Sequence, residues 1–249
     1  MKSPPSLHLR AALFLDFDGT LVDIAETPDA VHVPLALIDT IAALHGLLGG
    51  ALAIVSGRQI DALDRFLGPL ALAAAGEHGA QRRNARGELE ESPAPDLAAV
   101  VQTANALSME YPGVIVERKH AAVAVHYRLA QHWESTCRGA MLAAIAYRPQ
   151  LEVLFGKCMV EVKRAGVNKG TAIKAFMEEV PFQGRTPIFF GDDTTDESGF
   201  TAVQRLHGIA VKVGGGPSGA LHRLADPAAL SRWLAEGRDR LTVDVAIGS

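Results

Sequence analysis

Two aspartates one residue apart, Asp16 and Asp18, close the apolar run Leu13-Phe14-Leu15, and Gly19-Thr20 follow at once. A short apolar run bounded by turn residues predicts a buried strand. Side chains alternate along a strand, so the two carboxylates would face the same way if the strand continued. Gly19 predicts a turn just beyond them. Two like charges held together at a strand end need an offsetting charge, and a divalent cation is the usual one. An Asp-rich turn without chemistry fits this stretch equally well when it is taken alone.

More reactive groups follow other apolar runs. Ser56-Gly57-Arg58 comes after Ala51 to Val55, and Asp192, Asp193 and Asp196 come after Pro187 to Phe190. Lys169 opens a helical stretch between them. Carboxylate oxygens suit a hard cation such as Mg²⁺. A lysine, a serine hydroxyl and loop N–H groups suit a phosphate. One carboxylate can attack phosphorus and form an aspartyl-phosphate. A second can protonate the leaving oxygen and then activate water. Together the pieces describe phosphoryl transfer through a covalent intermediate.

Such groups need a frame. Apolar runs alternate with helical patterns from Leu13 to Ala75, which predicts a parallel sheet with helical crossovers. In that doubly wound arrangement the strand ends share one edge. The helices are expected at Leu35 to Leu48 and Asp61 to Leu67, joined to the first strand by a polar connection over 24–34. From Gln81 the pattern changes. A turn-rich stretch runs to Pro95, and a helix follows to Glu110. A hairpin of 114–119 and 123–128, a helix over 131–147, and a second hairpin of 151–155 and 159–163 come next. This antiparallel pattern predicts an α+β domain at 82–159, inserted into a core of 1–81 and 160–249. After Lys169 the first pattern returns, with a closing helix at Leu230 to Ala235 and a loose tail after Arg240.

Composition excludes little but points one way. A net charge of −4 and 48% hydrophobic residues fit a globular enzyme and imply no basic face for nucleic acid. Cys137 and Cys158 make no disulfide framework or metal cluster. No apolar run is long enough to span a bilayer, and no membrane partner is expected. A cytoplasmic monomer acting on a small molecule is the expectation.

Asp16-Phe17-Asp18-Gly19-Thr20 resembles the first motif of the haloacid dehalogenase (HAD) superfamily of phosphatases. Ser56, Lys169 and Gly191-Asp192-Asp193-Thr194-Thr195-Asp196 resemble its second, third and fourth motifs, in order. The resemblance implies a HAD-type doubly wound parallel, Rossmann-like α/β core with an inserted α+β cap of the C2 type. It implies Asp16 as nucleophile and Asp18 as general acid/base. Mg²⁺ would sit on Asp16, the Asp18 backbone carbonyl and Asp192. Ser56 and Lys169 would hold the phosphoryl group, with Asp193 and Asp196 in the outer shell of the metal or fixing Lys169.

Substrate choice falls to the inserted segment. Glu117-x-Lys119, His126-x-Arg128 and Glu161-x-Lys163 each put two polar groups on one strand face. Such groups could bind sugar hydroxyls, or they could be cross-strand ion pairs on a solvated face. Ser56-Gly57-Arg58, Gly76-Glu77-His78-Gly79, the three polar pairs and Gly166-Val167-Asn168-Lys169-Gly170 resemble trehalose-6-phosphate phosphatases. That resemblance implies Mg-dependent removal of phosphate from trehalose 6-phosphate, the last step of trehalose biosynthesis. Glu117, Lys119, His126, Arg128, Glu161 and Lys163 would then face the sugar or close the cap, and Arg58, Glu77 and His78 would line the cleft. Arg164 and Asn168 depart from the family, where proline and aspartate are more common.

Alternatives remain open. The same scaffold could serve sucrose 6-phosphate, a mannosyl-phosphoglycerate, or a phosphomannomutase-like transfer. A sensor without catalysis would have lost a carboxylate, and Asp16, Asp18 and Asp192 are all present. His78 could be a packed turn residue, and Arg58 could pair with Asp61 or Asp64. Trp133 and Trp233 sit in helical patterns and read as core.

Overall fold

The computed structural model describes residues 2–25 and 27–248; Glu26, inside the predicted connection 24–34, lies outside the described residues. Its elements run β1 (Ala11–Leu15), α1 (Leu35–Leu47), β2 (Leu52–Val55), α2 (Ile60–Leu67), β3 (Ala73–Gly76), β4 (Gln81–Arg83), β5 (Leu89–Glu91) and α3 (Ala98–Glu110). Then come β6 (Ile115–Arg118), β7 (Ala122–His126), α4 (Glu134–Ala144), β8 (Leu151–Gly156) and β9 (Met159–Arg164). The last are α5 (Lys169–Met177), β10 (Thr186–Gly191), α6 (Glu197–Arg205), β11 (Ile209–Val213), β12 (His222–Leu224) and α7 (Pro227–Gly248). The chain divides into two compact units, Met1–Glu90 with Asn168–Ser249, and Glu91–Val167.

The first unit is a mixed α/β layer structure around one sheet, ordered β12-β11-β10-β1-β2-β3-β4-β5. From β12 through to β3 every pairing is parallel. β1 and β2 are wholly buried. Strands covered on both faces need apolar side chains at every position, which is why these runs do not alternate. The chain leaves β1 toward β2 and β3 and later returns to β1's other side through β10. The strand order therefore reverses between β1 and β10, the place where α/β sheets bind ligands. Phe14 stacks with Phe182 at 5.4 Å, and Phe190 packs on Trp233 at 4.9 Å, so the partly buried Trp233 packs against the core.

Two expectations change in this unit. The turn-rich stretch after Gln81 holds β4, antiparallel to β3, with β5 beside it. An exposed edge hairpin needs no apolar run, so it reads as a loop. The predicted loose tail is instead the second half of α7. Leu230, Leu234 and Leu241 are fully buried, and Arg238 reaches Thr40 of α1 at 3.3 Å. Each such leucine stabilises the docked helix by roughly 1.5–3 kcal/mol.

The second unit is a four-stranded antiparallel sheet, β6-β7-β9-β8. Val123, Val125, Val160 and Val162 form its core with Val100 and Ala104 of α3 and Cys137 and Met141 of α4. The alternate residues, Glu117, Ala124, Glu161 and Lys163, lie on the opposite face. The unit spans 91–167 where 82–159 was expected. β4 and β5 extend the first sheet, while β9 pairs with β7 and β8 and so carries 160–164 into the second. His126 ends β7, and Arg128 opens a 3-10 helix, so the two do not share a strand face as predicted. Tyr127 lies between them with ψ 24°, away from the extended range. No helix among the described residues is long and apolar enough to cross a membrane.

Candidate active site

β1 gives way to a turn directly after Leu15. The Asp16 N–H donates to the Phe190 carbonyl at 3.0 Å, and the chain then folds over itself, with Leu21 and Val22 both donating to the Phe17 carbonyl. Gly19 makes this turn at φ +80°, and a Cβ there would lie 2.3 Å from the Asp192 carboxylate. Only glycine allows both the left-handed backbone and that approach. The turn separates the two aspartates. Asp16 points into a buried cluster, and Asp18 points to Arg58.

Asp16 is nearly inaccessible, and each of its oxygens has a donor. Lys169 Nζ lies 2.6 Å from Oδ1, and Thr20 Oγ1 lies 3.0 Å from Oδ2. Lys169 also reaches Asp196 Oδ1 at 2.7 Å. It stands at the first turn of α5, where Asn168 caps the helix by accepting from the Thr171 N–H at 3.0 Å. An aspartate would cap in the same way, so this departure preserves the helix start.

The β10 end brings the remaining carboxylates. Asp196 Oδ2 accepts from the N–H groups of Asp192 and Asp193, both at 2.9 Å. Asp193 caps the short turn that follows, accepting from the Thr194 N–H at 2.7 Å. Gly191 permits this loop, since a Cβ would meet Asp196 Cγ at 2.4 Å. Asp16, Asp192 and Asp196 can each place an oxygen within 4.8 Å of the others.

Burial pushes the Asp16 carboxyl well above its ordinary range; Lys169 opposes this, and the charges of Asp196 and Asp192 reinforce it. Burial also pulls the Lys169 amine down, but Asp16 and Asp196 outweigh it and hold the amine above its usual value. Lys169 is therefore a fixed cation in a site with surplus negative charge.

A second loop pair completes the strand-end edge. The Arg58 N–H donates to Ser56 Oγ at 3.2 Å. His78 N–H donates to the Ser56 carbonyl and Glu77 N–H to the Arg58 carbonyl. Glu77 and His78 are consecutive residues in the left-handed region, at φ 46° and 59°. Such strain persists only where surrounding contacts hold it. Both side chains are buried, and Glu77 accepts from Gln59 at 2.9 Å. Arg58 pairs with Asp18, 40 positions back in the chain. It also stacks on Phe17 and Phe66; Asp64 belongs to Arg83.

All ten of these predicted residues, from Asp16 to Asp196, lie in the first unit; the other six lie in the second. There, His126 meets Glu117 at 2.8 Å and Lys119 meets Glu161 at 2.6 Å. Lys163 is held by Glu152 and the Val167 carbonyl. Arg128 is exposed. Two residues near the cluster were not singled out from the sequence. Thr20 carries no charge to draw notice. Lys212, buried on β11, donates to the Asp192 carbonyl. A lysine within the apolar run Ile209 to Val213 was the available signal.

The trehalose-phosphatase family profile matches residues 14–229. The chain is 42% identical over 235 residues to the trehalose-6-phosphate phosphatase of Escherichia coli (strain K12), covering 92% of this chain and 87% of that one. The C-terminal domain of C. albicans trehalose-6-phosphate phosphatase has the same fold, with a TM-score of 0.83 at 22% identity over 94% of this chain and 98% of that one. Trehalose-6-phosphate phosphatase of Aspergillus fumigatus superposes with a TM-score of 0.62 at 27% identity, covering 92% of each chain.

Proposed function

The chain belongs to the trehalose-phosphatase family, and from that membership we propose how its strand-end cluster removes phosphate from trehalose 6-phosphate. The enzyme is a phosphoric monoester hydrolase of the HAD type acting on that sugar phosphate. One observation carries the mechanism. Asp16 sits at the strand-order reversal with a lysine on one oxygen and a hydroxyl on the other.

Asp16 attacks phosphorus, an Asp16 oxygen–phosphorus bond forms, and the bond from phosphorus to the sugar oxygen breaks. Asp18 gives the leaving oxygen its proton. It then takes one from the water that cleaves the aspartyl-phosphate, which releases phosphate and restores Asp16. Lys169 and Ser56 hold the phosphoryl oxygens, so the anionic nucleophile and anionic substrate can approach. Asp193 and Asp196 keep the fourth-motif loop and Lys169 in place.

The donor set fits a hard cation. It is all oxygen and buried, and burial together with the neighbouring Asp196 and Asp192 charges raises the Asp16 carboxyl. Asp16, the Asp18 carbonyl and Asp192 would hold Mg²⁺, which when bound would neutralise charge on the transferring phosphoryl group.

The second unit is the cap that reads the sugar. Its face of Glu117, Lys119, His126, Glu161 and Lys163 offers both donors and acceptors, as a polyhydroxylated ligand requires. Phosphate release from a panel of trehalose, sucrose, glucose and mannose phosphates tests the assignment. Trehalose 6-phosphate is expected to lead in kcat/KM by at least about a hundredfold. Equal or faster turnover of another member would overturn the substrate.

A further inference from the structure

Lys212 belongs to none of the four motifs, yet its ammonium is buried beside the cluster. It lies on β11 opposite Gly191 in the parallel register, and its Nζ donates to the main-chain carbonyl of Asp192. The N–H of the same residue is held by Asp196 Oδ2 at 2.9 Å. Asp192 is thus fixed from both sides of its backbone, by one carboxylate and one ammonium. Fixing the backbone fixes the direction in which its side chain leaves.

Charge points the same way. Three buried carboxylates, Asp16, Asp192 and Asp196, cluster here, and Lys169 bonds two of them, Asp16 and Asp196. Lys212 brings a second cation, bonded to the Asp192 main-chain carbonyl. A buried lysine is costly unless paired. Here it satisfies a carbonyl that the turn after β10 leaves outside the sheet.

We infer that Lys212 is a positioning residue for the metal site, holding the Asp192 carboxylate in place through its backbone carbonyl. The inference rests on the reading of Asp192 as a metal ligand.

Direct binding separates the two. Mn²⁺, which accepts oxygen ligands, is titrated into metal-free protein and followed by electron paramagnetic resonance. Lys212→Met is expected to weaken Mn²⁺ binding by about tenfold or more, the range seen when an outer partner of a metal ligand is removed. The Mg²⁺ needed for half-maximal turnover should rise alongside, while KM for trehalose 6-phosphate at saturating Mg²⁺ stays within about twofold. Lys212→Gln, which retains a donor, should recover most of the affinity. Wild-type Mn²⁺ binding by a folded Lys212→Met protein would overturn the inference. So would equal losses in the Met and Gln variants, or failure of both to fold, since each would leave Lys212 without a donor's role at Asp192. Asp192→Asn is the control: wild-type Mn²⁺ affinity there would defeat the ligand reading and not the lysine's part in it.

Discussion

Arg58 holds Asp18 with two parallel hydrogen bonds, Nε to Oδ2 at 2.6 Å and Nη2 to Oδ1 at 2.7 Å. Such a fork fixes both the position and the plane of a carboxylate, which a lysine cannot do. The rings of Phe17 and Phe66 hold the guanidinium at 5.5 and 4.9 Å from their centroids. If Asp18 is the proton carrier, Arg58 acts on turnover through it. Arg58→Lys is therefore expected to lower kcat by about tenfold or more, with KM for trehalose 6-phosphate changed by less than about threefold. Steady-state kinetics at saturating Mg²⁺ separate the cases. A rise in KM with kcat intact would place Arg58 on the substrate instead.

Asp16→Asn should abolish turnover, because an amide cannot attack phosphorus. Its effect on stability has the opposite sign. Burial raises the Asp16 carboxyl above its ordinary value of 3.8. A raised folded value contributes stability that is complete below the unfolded pKa and lost as pH rises through the folded one. At pH 7 without metal, the Asp16 carboxyl therefore makes the fold less stable than a neutral side chain of the same shape would. The asparagine variant is expected to melt at or above the wild-type temperature at pH 7 in EDTA, and to lose that margin below about pH 4. Calorimetric melts across this range provide the measurement. A drop of several degrees at pH 7 would mean that the Lys169 contact outweighs burial.

Much of this was legible in the chain because buried parallel strands are written as continuous apolar runs, and each run here ends in its reactive residue. What stayed hidden depends on distance. Arg58 has acidic neighbours at Asp61 and Asp64 in sequence, but it also grips Asp18, 40 positions away and brought close by the parallel pairing of β1 and β2. Lys212 stands out as a charge in an apolar strand, but its acceptor is a backbone carbonyl, which no side chain announces. The edge hairpin of β4 and β5 is charged because one side meets solvent, so it carries no apolar signal. The second half of α7 was missed because the buried Leu241 stands among polar and exposed residues.

Gly19→Ala tests the turn that parts the two aspartates. The residue sits at φ +80°, and the added methyl carbon would lie 2.3 Å from Asp192 Oδ2. The left-handed backbone alone costs about 1 kcal/mol or more for alanine, worth roughly 2–4 °C in a protein of this size. The clash adds displacement of Asp192. The expected result is a modest fall in melting temperature with a far larger loss of activity, about a hundredfold, and a raised Mg²⁺ requirement. If activity fell only in step with stability, the close approach of Gly19 to Asp192 would have no part in the chemistry.

Lys119 and Glu161 form the most buried ion pair of the second unit's charged face, with side chains 6% and 0% exposed and 2.6 Å apart. Removing one partner leaves a buried charge behind, which costs about 3–5 kcal/mol in the least favourable cases. That cost falls on the unit's stability whatever the substrate, so total activity is an ambiguous readout. The ratio between two substrates is not. p-Nitrophenyl phosphate presents a phosphate without sugar hydroxyls and needs only the strand-end cluster of the first unit. If the charged face reads the sugar, Lys119→Ala and Glu161→Ala should lower kcat/KM for trehalose 6-phosphate by about a hundredfold. Hydrolysis of p-nitrophenyl phosphate should change by less than about threefold. Glu161→Gln, which keeps the shape and one acceptor, should fall between. Equal losses on both substrates would return these residues to the role of cross-strand ion pairs and leave sugar recognition to other residues.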